Sequence, residues 1–133
     1  MRVEAHLCFG GQCAAAFELY QKLLGGTLHA LTYGASPMAG DVPVDWRDKI
    51  VHATLKLPDG NALLGADVLP SQLERPQGFY VLLTLRDANE AERVFSALAA
   101  EGTVKMPLQK TFWSPSFGVL VDRFGTPWEI TCE

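Results

Sequence analysis

The chain has 133 residues, of which 48% are hydrophobic and 20% are charged, so it is long enough to bury a core and is not a disordered chain. Its net charge of −4, without any run of Lys or Arg, disfavours nucleic acids and anionic membranes as partners. No apolar run is long enough to span a membrane, and the N-terminal residues do not resemble a signal peptide, so the sequence favours the cytoplasm.

The three cysteines, Cys8, Cys13 and Cys132, are an odd number and lack the Cys-x-x-Cys spacing of a zinc ribbon. A disulfide framework is also disfavoured, because it joins cysteines in pairs and an odd number leaves one unpaired. We therefore predict that all three are small buried hydrophobic side chains, with metal binding as the alternative, and that Cys8 is inert.

The first predicted element is a strand over residues 2–9, because apolar and polar side chains alternate along it. Glu4, His6 and Cys8 fall on one face of this strand, opposite a face of four apolar side chains: Val3, Ala5, Leu7 and Phe9. Residues 12–24 then show the apolar spacing of a helix, and the glycine pair that follows is typical of a helix end.

A long loop over residues 34–48 separates the strands predicted at 27–33 and 49–57, and loops of this length often cover a binding site. In the second of these strands, His52 lies opposite the apolar face, where it either reaches a cavity or remains a surface side chain. His29 is predicted to be exposed. A Pro-Asp-Gly-Asn turn and a short apolar strand at 62–66 complete the first half.

The second half follows a loop at residues 67–77 and repeats the same order of elements. In the strand predicted at 78–86, Tyr80, Leu82 and Thr84 lie opposite an apolar face that includes Phe79. Asp87 is a predicted N-cap of the next helix, with Glu90 at N3, and Gly102 is predicted to close this helix. The next strand, at 103–111, contains Pro107 and is therefore predicted to lie at a sheet edge.

The last predicted element is a hairpin whose strands are residues 117–122 and 128–132. Glu129 and Thr131 lie on one face of its closing strand, and the other face is apolar. The spacing between the halves is regular, since Phe9 and Leu85 are separated by 76 positions, as are Gly26 and Gly102. We therefore predict an α+β fold in one domain, with βαβββ modules at residues 1–68 and 78–133, each too small to bury its sheet alone.

Several segments resemble the PhnB-like branch of the vicinal oxygen chelate superfamily, which includes glyoxalase, extradiol dioxygenases and bleomycin-resistance proteins. The resemblance covers essentially the whole chain, and these segments carry it: GGQCAAAFELY at 10–20, the glycines at 25 and 26, DKIVHA at 48–53, TFW at 111–113 and DRFGTPW at 122–128. It implies paired βαβββ modules whose curved sheets surround a cavity for a small-molecule ligand, usually in a homodimer.

The resemblance also implies metal ligands on the first and last strands of a module. The matching positions are Glu4 or His6, Tyr80 and Glu129. Tyr80 departs from the His that is usual in metal-binding members, and neutral Tyr is a poor ligand for Mg²⁺, Mn²⁺ or Zn²⁺. Leu64, the counterpart of Glu129 in the first half, is not a ligand either. The usual ligand set is therefore incomplete in this sequence.

The strand faces predict one pocket lined by Glu4, His6, Cys8, Tyr80, Leu82, Thr84 and Glu129. Glu4, His6 and Glu129 would either hold a divalent metal (Mn, Ni, Zn or Mg) or act as a general base with an orienting partner. His6 would otherwise be a structural histidine with a hydrogen-bonded ring. His52 and Trp113 are further candidate ligand-binding residues, although an aromatic side chain such as Trp113 more often packs in a core or at a rim.

Two functions from different classes remain open. The first is a metal-dependent enzyme of the lyase, transferase or dioxygenase kind, in which a substrate with adjacent oxygen atoms is chelated and Glu129 and His6 are catalytic. The second is a metal-free protein that binds or sequesters a drug-like small molecule, as bleomycin-resistance proteins do. A structural dimer with a filled cavity is a third alternative.

Overall fold

The computed structural model describes all 133 residues, and it confirms the α+β fold, with two four-stranded mixed sheets and one α-helix against each. The chain divides into two compact units, unit 1 at Met1–Glu74 and unit 2 at Arg75–Glu133. No helix has the length and apolar character needed to cross a membrane.

Unit 1 has the βαβββ order of elements. Its sheet order is β1-β4-β3-β2, in which β1 and β4 are parallel and the other pairs are antiparallel. The elements are β1 (Ala5–Phe9), α1 (Cys13–Leu24), β2 (Thr27–Thr32), β3 (Ile50–Lys56) and β4 (Ala62–Asp67). The loop between β2 and β3 contains two short 3₁₀ turns and no strand.

Unit 2 has the same topology. Its sheet order is β5-β8-β7-β6, with β5 and β8 parallel and the other pairs antiparallel. The elements are β5 (Val81–Leu85), α2 (Ala88–Ala99), β6 (Thr103–Gln109), β7 (Phe117–Val121) and β8 (Pro127–Cys132). The strand that contains Pro107 is β6, which lies at a sheet edge as predicted, because Pro has no N–H to donate to a second neighbour.

Each helix buries one face against its own sheet. In α1 the buried side chains are Cys13, Ala16, Phe17 and Tyr20, and in α2 they are Ala91, Val94, Phe95 and Leu98. Gly65 on β4 is needed for this packing, since a Cβ there would lie 2.5 Å from Cε1 of Phe17. The predicted N-cap of α2 is confirmed, because the Asp87 carboxylate accepts a hydrogen bond from the N–H of Glu90 at 2.8 Å.

The ends of two strands differ from the prediction. Val3 is not on the helix-facing side of β1 but 93% exposed, because β1 begins at Ala5, where its pairing with β4 begins. Simple alternation along the strand would place Ile50 on the same face as His52, but Ile50 is buried. The reason is a shift of register between β2 and β3. Leu31 pairs with His52, but the next residue, Thr32, pairs with Ile50, so Val51 has no partner and the inward and outward alternation of side chains is interrupted there.

Two further predictions are corrected by the structure. Cys8 is not buried but exposed, because it shares the strand face of His6, which points away from α1. Gly102 does not close α2, because the helix ends at Ala99 with Ala100 as its C-cap, and the left-handed residue that follows is Glu101 at φ 60°. A Cβ on Gly102 would collide with the carbonyl oxygen of Val121, and a Cβ on Gly26 with that of Lys56, so both repeated glycines allow a close approach of backbones.

Candidate functional site

The sheet of unit 1 has one face covered by α1 and a second, which we call the open face of unit 1, that carries polar side chains. Alternation places His6 and Cys8 of β1 on this face, and Glu4, directly before β1, continues the same series. On β3 the corresponding side chains are His52, Thr54 and Lys56. All six side chains are exposed or half-buried, and all except the Cys8 thiol are strongly polar.

The strand order gives this face its shape. Leu64 of β4 pairs with His6 on one side and with Thr54 on the other, so β4 lies between the polar rows of β1 and β3. The β4 side chains on this face are Ala62, Leu64 and Ala66, which form an apolar floor. Because neighbouring strands are about 4.8 Å apart, the two polar rows are separated by roughly 10 Å. We call this arrangement the β4 groove.

A cleft of about 490 Å³ occupies the end of the β4 groove next to the β3–β4 turn. It is lined by Arg2, Glu4, His52, Thr54, Lys56, Leu57, Gly60, Asn61, Ala62 and Leu64. Nε2 of His52 lies 3.0 Å from the hydroxyl of Thr54, and a carboxylate oxygen of Glu4 lies 3.9 Å from Nε of Arg2. The cleft therefore combines an imidazole held by a hydroxyl, one carboxylate and two cations.

His6 and Cys8 lie on the open face of unit 1 but do not line the cleft. Nδ1 of His6 is 3.9 Å from Sγ of Cys8, the outer limit for a hydrogen bond to sulfur. His29 is exposed, as predicted. The structure thus brings Glu4 and His52 into one cleft and leaves His6 on the same sheet face beside Cys8.

The open face of unit 2, the sheet face away from α2, carries polar side chains on β8 and on its neighbour β5. Glu129 of β8 is half-buried and pairs with Leu82 of β5 and Val119 of β7. Thr131 of the same strand pairs with Thr84 and Phe117. Glu129 therefore presents a carboxylate between two apolar side chains, as its alternation with Trp128 and Ile130 predicts.

Trp113 lies next to the open face of unit 2, because its ring is 5.3 Å from that of Phe117. A tight turn holds it, in which the N–H of Thr111 donates to the carbonyl of Ser114 at 2.9 Å. The buried Ser114 hydroxyl lies 2.7 Å from the hydroxyl of Thr131 and 2.7 Å from the carbonyl of Ser116. The turn exposes Trp113 to 57% and Phe112 to 97%, so a fixed backbone presents two aromatic rings to solvent.

Tyr80 lies ahead of β5 instead of within it, and it lines a separate small cleft together with Lys105. Within neither unit do three or more His, Cys, Asp or Glu side chains gather into a group that could hold a metal ion. A metal at Glu4, His6 and Glu129 would need residues of both units, and it stays a prediction.

Sequence reasoning missed Asp67, the last residue of β4, which is 1% exposed. Its Oδ1 accepts hydrogen bonds from the N–H groups of Gly11 and Cys13, and its Oδ2 accepts one from Ile50, each at 2.9 Å. The carboxylate therefore joins the β1–α1 turn, the first turn of α1 and the start of β3. The available signal was a single acidic residue at the end of an otherwise apolar strand.

Burial and the charge of Asp67 raise the pKa values of two nearby side chains, Cys13 and Tyr33. Burial, followed by the nearby Asp67 carboxylate, raises the pKa of the Cys13 thiol to about 12. The same two causes raise the pKa of Tyr33, whose hydroxyl donates to the backbone carbonyl of Asp67 at 2.6 Å. Cys13 is therefore a protonated, unreactive thiol at neutral pH.

The chain is similar to known proteins over nearly all of its length. A family model described as Glyoxalase/Bleomycin resistance protein/Dioxygenase superfamily matches residues 5–130. Protein YjdN of Escherichia coli (strain K12) is 32% identical over 139 residues, which cover 98% of this chain and 94% of YjdN.

Two solved structures share this likeness. Protein PA1353 from Pseudomonas aeruginosa is 44% identical with a TM-score of 0.90, and the match covers 100% of this chain and 98% of that chain. The PhnB protein from Bacillus cereus is 23% identical with a TM-score of 0.81 and covers 100% of both chains, which is a likeness of fold.

Proposed function

Because the chain belongs to the Glyoxalase/Bleomycin resistance protein/Dioxygenase superfamily, we propose that it binds a small molecule, and that the β4 groove of unit 1 is the part of the binding site that this unit supplies. The observation that carries the proposal is the flanking of an apolar strand, β4, by polar side chains of both neighbouring strands. Binding sites for small molecules commonly combine an apolar surface with a few polar groups that fix orientation.

The groove suits a ligand with a flat apolar body and polar groups at both edges. Leu64 and Ala62 would contact the body, while Glu4 on one side and Thr54 and Lys56 on the other would bind the edges. The cleft of about 490 Å³ lies within the size range of pockets for metabolite-sized ligands. His52, oriented by the Thr54 hydroxyl, and Glu4 are the groups in this cleft that can accept a proton from such a ligand.

Substitutions in the cleft test this proposal. We expect Glu4→Gln and His52→Ala to weaken binding of compounds found by thermal-shift screening, because each removes a polar contact at an edge of the groove. A loss of about tenfold in affinity corresponds to about 1.4 kcal/mol, within reach of one charged hydrogen bond. Glu18→Gln, on the exposed side of α1, is the matched control. Equal affinities in all three variants and the unchanged protein would remove the groove from the binding site.

The enzymatic form of the proposal adds a divalent metal held by Glu4, His6 and Glu129. Carboxylate and imidazole side chains are of the types that such metals take as ligands. Glu4 and His6 are two residues apart, so alternation places them on the same face of the sheet. When bound, the metal would act as a Lewis acid on adjacent oxygen atoms of the substrate.

The alternative, a metal-free binding protein, is favoured by the aromatic pair Phe112 and Trp113. Their rings lie 4.7 Å apart at a hydrogen-bonded turn, and both are more than half exposed. Exposed aromatic side chains on a fixed backbone are suited to contact planar ligands without any metal. In this form, the protein would retain its ligand without converting it.

Metal titration separates the two forms. Protein stripped with a chelator is heated with Mn²⁺, Ni²⁺, Zn²⁺ or Mg²⁺, and stabilisation by one of them, lost in Glu129→Gln and Glu4→Gln but kept in Glu18→Gln, supports the enzymatic form. A ligand present at about 100 times its Kd stabilises by about 2.7 kcal/mol, which thermal shift resolves readily. No stabilisation by any of the four metals, together with binding of planar ligands, supports the metal-free form.

A further inference from the structure

A second and smaller cleft lies in unit 2, at the segment that leads into β5. Its volume is about 180 Å³, and the residues that matter for its chemistry are Arg75, Gln77, Phe79, Tyr80, Lys105 and Pro127. None of them lines the cleft of about 490 Å³ in unit 1, and Glu129 does not line this one. The two clefts therefore have no lining residue in common.

The charges of this cleft all have one sign. Arg75 and Lys105 both line it, and no Asp or Glu does. Neither Arg75 nor Lys105 forms an ion pair with a carboxylate. The Lys105 ammonium lies 5.9 Å from the centre of the Tyr80 ring, within the range of a cation–π contact. The cleft thus concentrates positive charge beside an aromatic ring.

The remaining walls are apolar or neutral. Phe79 was predicted to face the helix, but it lies ahead of β5 and is 48% exposed at the cleft. Pro76, Pro127 and Val121 complete the apolar lining, and Gln77 adds an amide. A half-exposed Phe next to two unpaired cations favours a ligand with a charged end and an apolar body.

We propose that this cleft binds a small organic anion, whose carboxylate meets Arg75 and Lys105 and whose apolar body contacts Phe79. The volume of about 180 Å³ suits a compound of the size of benzoate. This site is independent of the small-molecule site proposed for the β4 groove.

Three probes separate charge from apolar contact: benzoate, acetate and the neutral isostere benzamide, each titrated into the full chain by calorimetry. We expect benzoate to bind more tightly than either of the others, because only it offers both features. Lys105→Gln should weaken benzoate about tenfold, since it removes one charged hydrogen bond. Lys110→Gln, which lies outside the cleft, is the matched control and should leave benzoate affinity unchanged.

Three results would each overturn the proposal: absence of benzoate binding, equal binding of acetate or benzamide, and equal affinities of Lys105→Gln and Lys110→Gln. Thermal melts of both variants check that they fold. If Lys105→Gln does not fold, Arg75→Gln takes its place, because Arg75 supplies the second cation and belongs to no helix or strand.

Discussion

At the scale of single residues, Asp67 shows how a fully buried charge is kept without an ion pair. Three backbone N–H groups donate to its two oxygens, and one of them belongs to Cys13, the first residue of α1. The positive end of the helix dipole lies at this N-terminus, so the charge is stabilised by both hydrogen bonds and the helix. Its role is to fix three segments of unit 1 at one point.

We predict that Asp67→Asn destabilises the protein by about 2–4 kcal/mol. Both oxygens of Asp67 accept hydrogen bonds from backbone N–H groups, and the NH₂ group of Asn, which replaces one of them, can only donate. Urea unfolding measures the change. Asp41→Asn, in the exposed 3₁₀ turn of the β2–β3 loop, is the control and should change stability little. Equal stabilities of the two variants would contradict a structural role for Asp67.

The raised pKa of Cys13 predicts a dependence of stability on alkaline pH. The unfolded thiol ionises near its ordinary value of 9.0, while the folded thiol keeps its proton up to about 12. The contribution of this group is therefore fully present below pH 9, and it is lost as the pH rises through the window from 9 to 12, by at most about 1.4 kcal/mol per pH unit.

Cys13→Ala should flatten this loss, so that its free energy of unfolding falls less steeply above pH 9 than that of the unchanged protein. Urea unfolding at a series of pH values up to the onset of alkaline unfolding measures the slopes. Cys132→Ala removes a buried thiol in the other unit and serves as the control. Parallel curves for Cys13→Ala and the unchanged protein would show that the thiol is not the titrating group.

At the scale of elements, alternation in the sequence was enough to predict every strand and the faces of His6, Thr84 and Glu129. Alternation did not predict the burial of residues at strand ends, where the pairing of strands decides which side chains are covered. Val3 continues the pattern of β1 but has no partner strand, and Ile50 is buried because of the irregular pairing opposite Leu31. Local patterns do not contain this information, since it depends on residues far away in the chain.

The repeated glycines give an element-scale prediction. Gly102→Ala should destabilise the protein by about 1–3 kcal/mol, because the new Cβ would collide with the backbone carbonyl of Val121, which a side-chain movement cannot relieve. Gly40→Ala is the matched control, since a Cβ there meets open space. Thermal unfolding measures both. If Gly102→Ala is as stable as Gly40→Ala, the close approach is not what requires glycine.

At the scale of the whole molecule, the two units share one topology but distribute their polar side chains differently. Strands β4 and β8 are equivalent and 65 positions apart, yet the residue on β4 is Leu64 where β8 carries Glu129. On the open faces, β4 of unit 1 is apolar between two strands with polar side chains, whereas β8 of unit 2 carries Glu129 and Thr131 beside Leu82 and Thr84 of β5 and an apolar β7.

The β4 groove itself could not be predicted from the sequence. A polar face on β1 and another on β3 follow from alternation, but the distance between them depends on β4 inserting there through a parallel pairing with β1. The homodimer implied by the family resemblance also stays a prediction. Sedimentation equilibrium of the full chain tests it, and a mass of one chain at all concentrations would contradict it.

The most direct test of the central claim is an NMR titration of the ¹⁵N-labelled chain with metabolites that carry adjacent oxygen atoms, such as 2-hydroxy acids, 1,2-diketones and catechols. We predict that the shifts caused by bound compounds cluster on β1, β3 and β4. They should vanish in Leu64→Trp, which fills the groove floor, but persist in Val44→Trp, which adds the same ring to an exposed loop position. Shifts that lie elsewhere, or that survive in Leu64→Trp, would contradict the account.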